Sequence, residues 1–164
     1  MSTIQSDSEL DLVFERIAPV TPKQLWDAWT QPEQLKQWFT PAPWKTVECQ
    51  IDLQPGGNFR TVMQSPEGNK FDNHGCYIEI VKEKRLTWTN TMSAGFRPAS
   101  AGAPGFAFTA IITFEPHGPS NTKYKAVVLH NNKDDRNKHE QMGFQDGWGK
   151  AYEQLLDMAR RINK

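Results

Sequence analysis

The sequence predicts an α+β fold in which a curved antiparallel sheet encloses one long C-terminal helix. Three observations support this prediction: an alternating pattern near the N-terminus, repeated short β segments between residues 45 and 130, and a helical pattern from about residue 135 onward. A chain of 164 residues suits one domain with a substantial core. We therefore expect a single domain over residues 1–164, with residues 1–8 as a flexible N-terminus.

The first three elements are indicated by local patterns. Apolar and polar side chains alternate from residue 9 to 17, which predicts a half-buried strand. Thr21 and Gln24 have the spacing of a capping box, and Pro22 suits the first position of a helix. Pro32 begins a second short helix in the same way. These two helices should form one connection between the first strand and the rest of the sheet.

Six β segments follow, separated by turn sequences rich in glycine, proline and asparagine. They span residues 45–53, 57–64, 71–81, 85–92, 106–115 and 122–130. This spacing is typical of an antiparallel meander. The connection formed by residues 93–105 (SAGFRPASAGAPG) is longer than a hairpin needs, so we expect it to be a mobile gate. Phe96 and Phe106 are candidates to cap an apolar opening beneath it.

A helical pattern from residue 135 to 162 predicts one continuous helix with an apolar stripe. The stripe consists of Phe144, Trp148, Ala151, Leu155, Ala159 and Ile162, of which Trp148 and Leu155 should be buried. Three glycines in its first part each cost about 1 kcal/mol relative to alanine in a helix interior. At Gly143, Gly147 and Gly149, either the helix backbone approaches its neighbours closely or the missing side chains leave open volume.

Six short segments carry a resemblance that covers nearly the whole chain in order. They are residues 15–19 (ERIAP), 25–30 (LWDAWT), 38–39 (WF), 52–57 (DLQPGG), 143–144 (GF) and 147–148 (GW). On these segments the chain resembles bacterial proteins similar to the C-terminal domain of the activator of the 90-kDa heat-shock-protein ATPase. That family belongs to the START-like (SRPBCC) superfamily of helix-grip folds. The resemblance implies a cavity between the sheet and the C-terminal helix, without naming its contents.

Charge and composition exclude several classes of partner. The 19 basic and 19 acidic side chains balance, so no overall field would draw the protein to nucleic acid or to an anionic membrane. No apolar run approaches the roughly 20 residues that a membrane-spanning helix needs. Residues 1–9 lack the features of a secretory signal, and two distant thiols, Cys49 and Cys76, suit a reducing compartment. We therefore expect a cytoplasmic protein that does not insert into membranes.

The residue pattern predicts neither a metal site nor a cofactor. The four histidines, His74, His117, His130 and His139, lack the short spacings that metal ligands usually have. Residues 55–57 (PGG) lack the following helix of a phosphate loop and are interpreted as a hairpin turn. No nucleophile elbow is present, which leaves the catalytic residues unassigned.

Strand parity selects the candidate lining of the cavity. In residues 71–81, His74 falls on the face expected to point at the helix, although an inert, hydrogen-bonded histidine explains it equally well. In residues 85–92, Trp88 and Asn90 share the inward face, where Asn90 would orient a ligand. Core packing explains any single aromatic residue, but their excess favours a ligand site. The candidate ligand-binding residues are Trp38, Phe39, Phe59, His74, Cys76, Ile78, Trp88, Asn90, Met92, Phe108, Phe144 and Trp148.

Three functions from different classes are compatible with these patterns. Binding of a small hydrophobic or amphipathic ligand is favoured by the order of elements, the aromatic excess and the long loop. The first alternative is a cyclase- or isomerase-like enzyme that uses His74 for proton transfer. The second is a chaperone-associated interaction domain, which the resemblance implies. Exposed edge strands would also permit a homodimer.

Overall fold

The computed structural model describes residues 5–102 and 105–162. The strands in these ranges are β1 (Asp11–Ala18), β2 (Lys45–Ile51), β3 (Asn58–Gln64), β4 (Lys70–Val81), β5 (Arg85–Thr89), β6 (Met92–Ser93), β7 (Arg97–Pro98), β8 (Phe108–Pro116) and β9 (Thr122–His130). The helices are α1 (Pro22–Thr30), α2 (Pro32–Leu35), α3 (Lys133–Gln141) and α4 (Phe144–Ile162).

Seven of the strands form one antiparallel sheet in the order β1-β9-β8-β5-β4-β3-β2. The β6 and β7 strands form a separate small hairpin. Helices α1 and α4 cover the concave face, where Phe14, Leu25 and Leu155 are completely buried. The predicted α+β fold, with its curved antiparallel sheet and C-terminal helix, is confirmed.

The beginning of the chain follows its local sequence signals. In β1 the side chain of Phe14 is buried, whereas that of Val13 is 37% exposed on the opposite face. The capping box at α1 is formed: Thr21 Oγ1 accepts from Gln24 N–H at 3.2 Å, and Gln24 Oε1 accepts from Thr21 N–H at 2.7 Å. Of the N-terminal residues expected to be flexible, 1–4 lie outside the described residues.

The predicted single helix over residues 135–162 is instead two helices, α3 and α4. The break lies at Gly143, whose φ of +91° is readily adopted only by a residue without a Cβ atom. Its N–H donates to Glu140 O at 3.0 Å, which closes the last turn of α3. Leu155 is buried as predicted, but Trp148 is only partly buried. The break lets α3 pack against β9 while α4 crosses the core.

Residues 93–102 and 105 are more anchored than a plain loop. They include Ser93 of β6 and all of β7, and Gly95 N–H donates to Gly56 O at 2.7 Å. Phe106 is buried, whereas Phe96 is 47% exposed and lies against Gly56, so Phe96 does not cap the cavities described below. Residues 103–104 of the expected gate lie outside the described residues. Gating by this segment stays a prediction.

A bulge in β4 makes the prediction of its inward-facing residues wrong for the part of the strand before the bulge. There the inward positions are shifted by one residue. The ladder with β5 shifts register between Tyr77 and Glu79. Beyond this bulge Ile80 pairs with the buried Leu86, as the alternation predicted. Before the bulge, Tyr77 faces the core instead and stacks on Phe59 with ring centroids 5.3 Å apart. A bulge inserts one extra residue, which exchanges the two faces of the strand for the side chains beyond it. The alternation that is correct at Ile80 therefore does not continue toward the start of the strand.

Candidate functional site

Two adjacent cavities lie between the concave face of the sheet and the helices. The first has a volume of about 370 Å³, and the second about 340 Å³. Strands β3, β4 and β5 provide one wall of the first cavity, while the beginning of α4 provides one wall of the second. Both cavities are lined by Phe39, Met63, His139 and Met142. These shared residues place the two spaces side by side rather than on opposite faces of the sheet.

The inner wall is a connected group of aromatic rings around Trp29. Its ring centroid lies 4.8 Å from that of Trp38 and 5.2 Å from that of Trp88. Trp88 in turn meets Phe59 edge to face at 5.1 Å. The buried Trp38 indole N–H donates to Ala28 O at 3.0 Å, which holds that ring in place. Such contacts make a preformed apolar wall.

The mouth of the first cavity is flanked by two exposed aromatic side chains that the sequence-based candidates did not include. Trp44 and Phe71 lie with their ring centroids 5.4 Å apart. Their exposed fractions are 39% and 43%, although both line the cavity. Exposed aromatic surface beside an apolar opening is a common feature of ligand-binding sites.

The candidate residues divide into two groups according to these cavities. Those that line at least one cavity are Trp38, Phe39, Phe59, His74, Trp88, Asn90, Phe108, Phe144 and Trp148. Those that line neither are Cys76, Ile78 and Met92. Cys76 and Ile78 are displaced by the bulge in β4, and Met92 belongs to the small hairpin rather than to β5.

His74 is at the rim and not inside the cavity. Its side chain is 58% exposed, and its Nε2 lies 3.2 Å from Asp72 Oδ1. Asp72 also accepts hydrogen bonds from Nε and Nη2 of Arg60, whose guanidinium lowers the pKa of the carboxyl group. The expectation that His74 points inward is therefore wrong, because Gly75 and Tyr77 occupy the inward face of this part of β4.

Asn90 lines the first cavity, but its amide is already engaged. Its Nδ2 donates to Phe106 O at 2.9 Å, and its Oδ1 accepts from Phe108 N–H at 2.9 Å. These two bonds attach the end of β5 to the entry of β8. Asn90 thus holds the cavity wall in place.

The thiols are not arranged for nucleophilic chemistry. Burial raises the pKa of Cys49 to about 11, so its thiol is protonated at neutral pH. Cys76 is completely buried and donates weakly to the carbonyl of Tyr77. Among residues 5–102 and 105–162, no group of three or more His, Cys, Asp or Glu side chains is arranged to hold a metal ion.

His139 is a polar residue of the lining that sequence reasoning missed. Its ring packs against Phe106 and Phe144, with centroid separations of 5.0 and 5.2 Å. His139 Nδ1 lies 2.9 Å from His130 Nε2, although nine residues separate the two along the chain. Helix α3 is otherwise polar and has no fully buried residue, so no apolar stripe marks the face that carries His139.

The glycines of the C-terminal region prove to have different roles. A Cβ atom at Gly143 or Gly147 would meet nothing within 4 Å, so close backbone approach does not explain either residue. Gly143 makes the turn between the helices, while Gly147 lines the second cavity beside Trp148. The open-volume interpretation therefore holds at Gly147.

Comparisons with known proteins agree with this architecture. A crystal structure of a protein from Nitrosomonas europaea is 44% identical in sequence, with a TM-score of 0.89, and the match covers 96% of this chain and 99% of the other. A crystal structure of a protein from Rhodobacter sphaeroides is 24% identical over 97% of both chains, with a TM-score of 0.82, and shows the same fold. No functionally curated protein matches the sequence.

No helix in the described ranges is both long and apolar enough to span a membrane. The family model described as activator of Hsp90 ATPase homolog 1-like protein matches residues 19–159, which include both cavities. This match extends over most of the chain and agrees with the resemblance in the short sequence segments. The chain therefore belongs to the activator of Hsp90 ATPase homolog 1-like family.

Proposed function

We propose that this protein binds a small hydrophobic or amphipathic molecule in the two cavities. The observation that carries the proposal is the pair of adjacent, aromatic-walled spaces of about 370 and 340 Å³. Each volume falls in the range of roughly 300–1,000 Å³ that is usual for small-molecule sites. Because Phe39, Met63, His139 and Met142 border both spaces, one elongated ligand can contact both walls.

The expected affinity follows from the apolar area that a ligand would bury. A two-ring aromatic molecule would bury on the order of 250 Å², which contributes about 6 kcal/mol at about 25 cal/mol per Å². Loss of translational and rotational freedom offsets part of this free energy. Dissociation constants in the micromolar to millimolar range are therefore expected for simple aromatic probes.

The alternatives receive less support. The isomerase-like mechanism depended on His74 inside the cavity, whereas its side chain is mostly exposed and lies beside Asp72. The chaperone-associated interpretation rests on the description of the family alone. A cytoplasmic location is part of the proposal, because Cys49 and Cys76 are both free thiols.

The proposal is tested by partly filling the second cavity. Gly147→Leu would place a side chain in the open space beside Trp148, and leucine is a better helix former than glycine. The probe is N-phenyl-1-naphthylamine, whose fluorescence rises in apolar surroundings. We expect the wild type to bind it and Gly147→Leu to bind it at least about tenfold more weakly, because the leucine occupies the ligand's space.

Glu153→Leu is the matched control, because it adds the same side chain at an exposed position of α4. It should bind the probe like the wild type. Equal probe affinity in all three proteins would contradict binding in the second cavity. Native mass spectrometry of the protein purified from its own host, compared with Gly147→Leu, would show whether a small molecule is retained by the wild type alone.

A further inference from the structure

The hydrogen bonds of His130 determine which of its ring nitrogens carries the proton. Nδ1 lies 2.8 Å from Leu10 O. A carbonyl oxygen can only accept a hydrogen bond, so Nδ1 is the protonated nitrogen. Burial lowers the pKa of His130, which favours the neutral ring despite nearby Asp11 and Asp135. In that neutral ring Nε2 carries a lone pair and can only accept.

The same reasoning extends from His130 to His139. Because His130 Nε2 accepts, His139 Nδ1 must carry the proton that bridges their 2.9 Å separation. Burial lowers the pKa of His139 to about 4, so this ring is also neutral at pH 7. A neutral imidazole has one proton on its nitrogens, and Nδ1 holds it. Nε2 of His139 is left with a free lone pair.

This lone pair is available to a ligand. Within the described part of the chain, His139 Nε2 has no hydrogen-bond partner. In the same part, the Tyr77 hydroxyl is the one side-chain polar group that is both fully enclosed and without a partner. His139 Nε2 is therefore not fully enclosed, and a ligand can reach it. His139 borders both cavities, and Phe106, Phe108 and Phe144 surround its ring.

We infer that His139 Nε2 accepts a hydrogen bond from the bound molecule, which therefore carries a neutral O–H or N–H donor on an apolar body. This inference rests on the proposed function and adds the chemical class of the ligand. An alcohol, a phenol or an aromatic N–H satisfies the lone pair. A carboxylate presents only acceptors to it and is disfavoured. His130 is a positioning residue, because it sets the tautomer of His139.

The tautomer can be measured without any ligand. Long-range ¹H–¹⁵N correlation spectra of the protein at pH 7 should show both His130 and His139 protonated on Nδ1 and unprotonated on Nε2. The protonated Nδ1 form is the minor tautomer of histidine in water, so a neighbour must impose it. A spectrum in which His139 carries its proton on Nε2 would overturn the inference, whether or not the cavities bind ligands.

Matched probes then test recognition by calorimetry. The wild type should bind 2-naphthol about three- to tenfold more tightly than 2-methoxynaphthalene, which keeps the ring system but has no donor. His139→Phe should remove this preference while retaining affinity for the ether. His130→Phe should reduce the preference, because the tautomer of His139 is no longer imposed. His117→Phe, which changes an exposed histidine that lines neither cavity, is the control and should leave the preference unchanged.

The outcomes separate the two proposals. Equal affinity of the wild type for both probes would retain the cavity as a binding site and overturn the role of His139. A preference for the phenol that persists in His139→Phe would also overturn that role. If neither probe binds to the wild type, the proposed function fails for two-ring aromatic molecules, and the inference about the ligand fails with it.

Discussion

The indole nitrogen of Trp29 donates a hydrogen bond to the hydroxyl of Tyr124 across 3.0 Å. Both side chains are 1% exposed, so the bond joins α1 to β9 inside the core. Because Trp29 also contacts Trp38 and Trp88, the orientation of the cavity wall depends on this bond. By contrast, the equally buried hydroxyl of Tyr77 has no partner among the described residues.

This contrast between two buried tyrosines predicts opposite effects of one chemical change. Tyr124→Phe should lower the free energy of unfolding by about 1–3 kcal/mol, because the Trp29 N–H is left unsatisfied in the core. Tyr77→Phe should leave the free energy of unfolding unchanged or raise it by about 1 kcal/mol, because it removes a buried polar group that lacks a partner. Urea denaturation of both variants checks this. Equal losses would contradict the assigned hydrogen bonding.

Alanine substitutions should distinguish the two glycines that lie near the start of α4. Gly143→Ala should lower the free energy of unfolding by about 1–2 kcal/mol, because alanine is strained at a φ of +91°. Gly147→Ala should raise it by up to about 1 kcal/mol, since Gly147 is helical and a Cβ atom there meets nothing within 4 Å. Thermal unfolding of the two variants measures the difference. The same sign for both would contradict the break between α3 and α4.

Gln154 links α4 to the segment that borders the second cavity. Its Nε2 donates to Trp38 O at 3.0 Å and to Thr40 O at 2.9 Å, and its Oε1 accepts from Ala42 N–H at 2.9 Å. Gln154→Glu keeps the shape and the acceptor but loses both donors. We expect a loss of about 1–3 kcal/mol in the free energy of unfolding.

Hydrogen exchange checks the location of this effect. The amides of residues 38–42 should exchange faster in Gln154→Glu than in the wild type, while those of β8 and β9 change only with global stability. Glu153→Gln, at the neighbouring exposed position, is the control and should change neither quantity. Unchanged exchange in residues 38–42 would show that the segment is held by other contacts.

The histidine pair predicts a fall in stability on acidification. The pKa of His139 is about 4 in the folded chain, against an ordinary value of 6.5 in the unfolded chain. Between these values the unfolded chain binds a proton that the folded chain does not, so the free energy of unfolding decreases as the pH falls from about 6.5 to about 4. Because His139 is partly exposed, we expect about 1–2 kcal/mol rather than the full linkage value of about 3 kcal/mol.

Other charged groups face the pair, so a variant must isolate its contribution. Asp11, Asp135 and Arg136 all act on His130, and carboxylates titrate near the lower end of the same pH range. Urea denaturation at several pH values from 7 to 4 gives the slope of the free energy of unfolding against pH. This slope should be smaller for His139→Phe than for the wild type. His117→Phe, which changes an exposed histidine, should retain the wild-type slope. Identical slopes in all three proteins would contradict the burial of His139.

Much of the fold could be predicted because its signals are local. The alternation in β1 and the capping box at Thr21 and Gln24 depend on neighbouring residues, and the structure has both. The β segments could likewise be placed, because glycine and proline turns mark their ends. The aromatic residues of the cavity wall were candidates for the same reason: large apolar side chains on inward strand positions must pack against something.

Three features depended on contacts between residues far apart in the chain. The bulge after Tyr77 is a property of the ladder between β4 and β5, and it moves His74 to the rim. The amide of Asn90 is engaged by backbone groups of residues 106 and 108. His139 meets His130 because the turn at Gly143 lets α3 pack against β9. A single sequence indicates which side chains can bond, but the tertiary structure determines which of them meet, because that depends on packing of the whole chain.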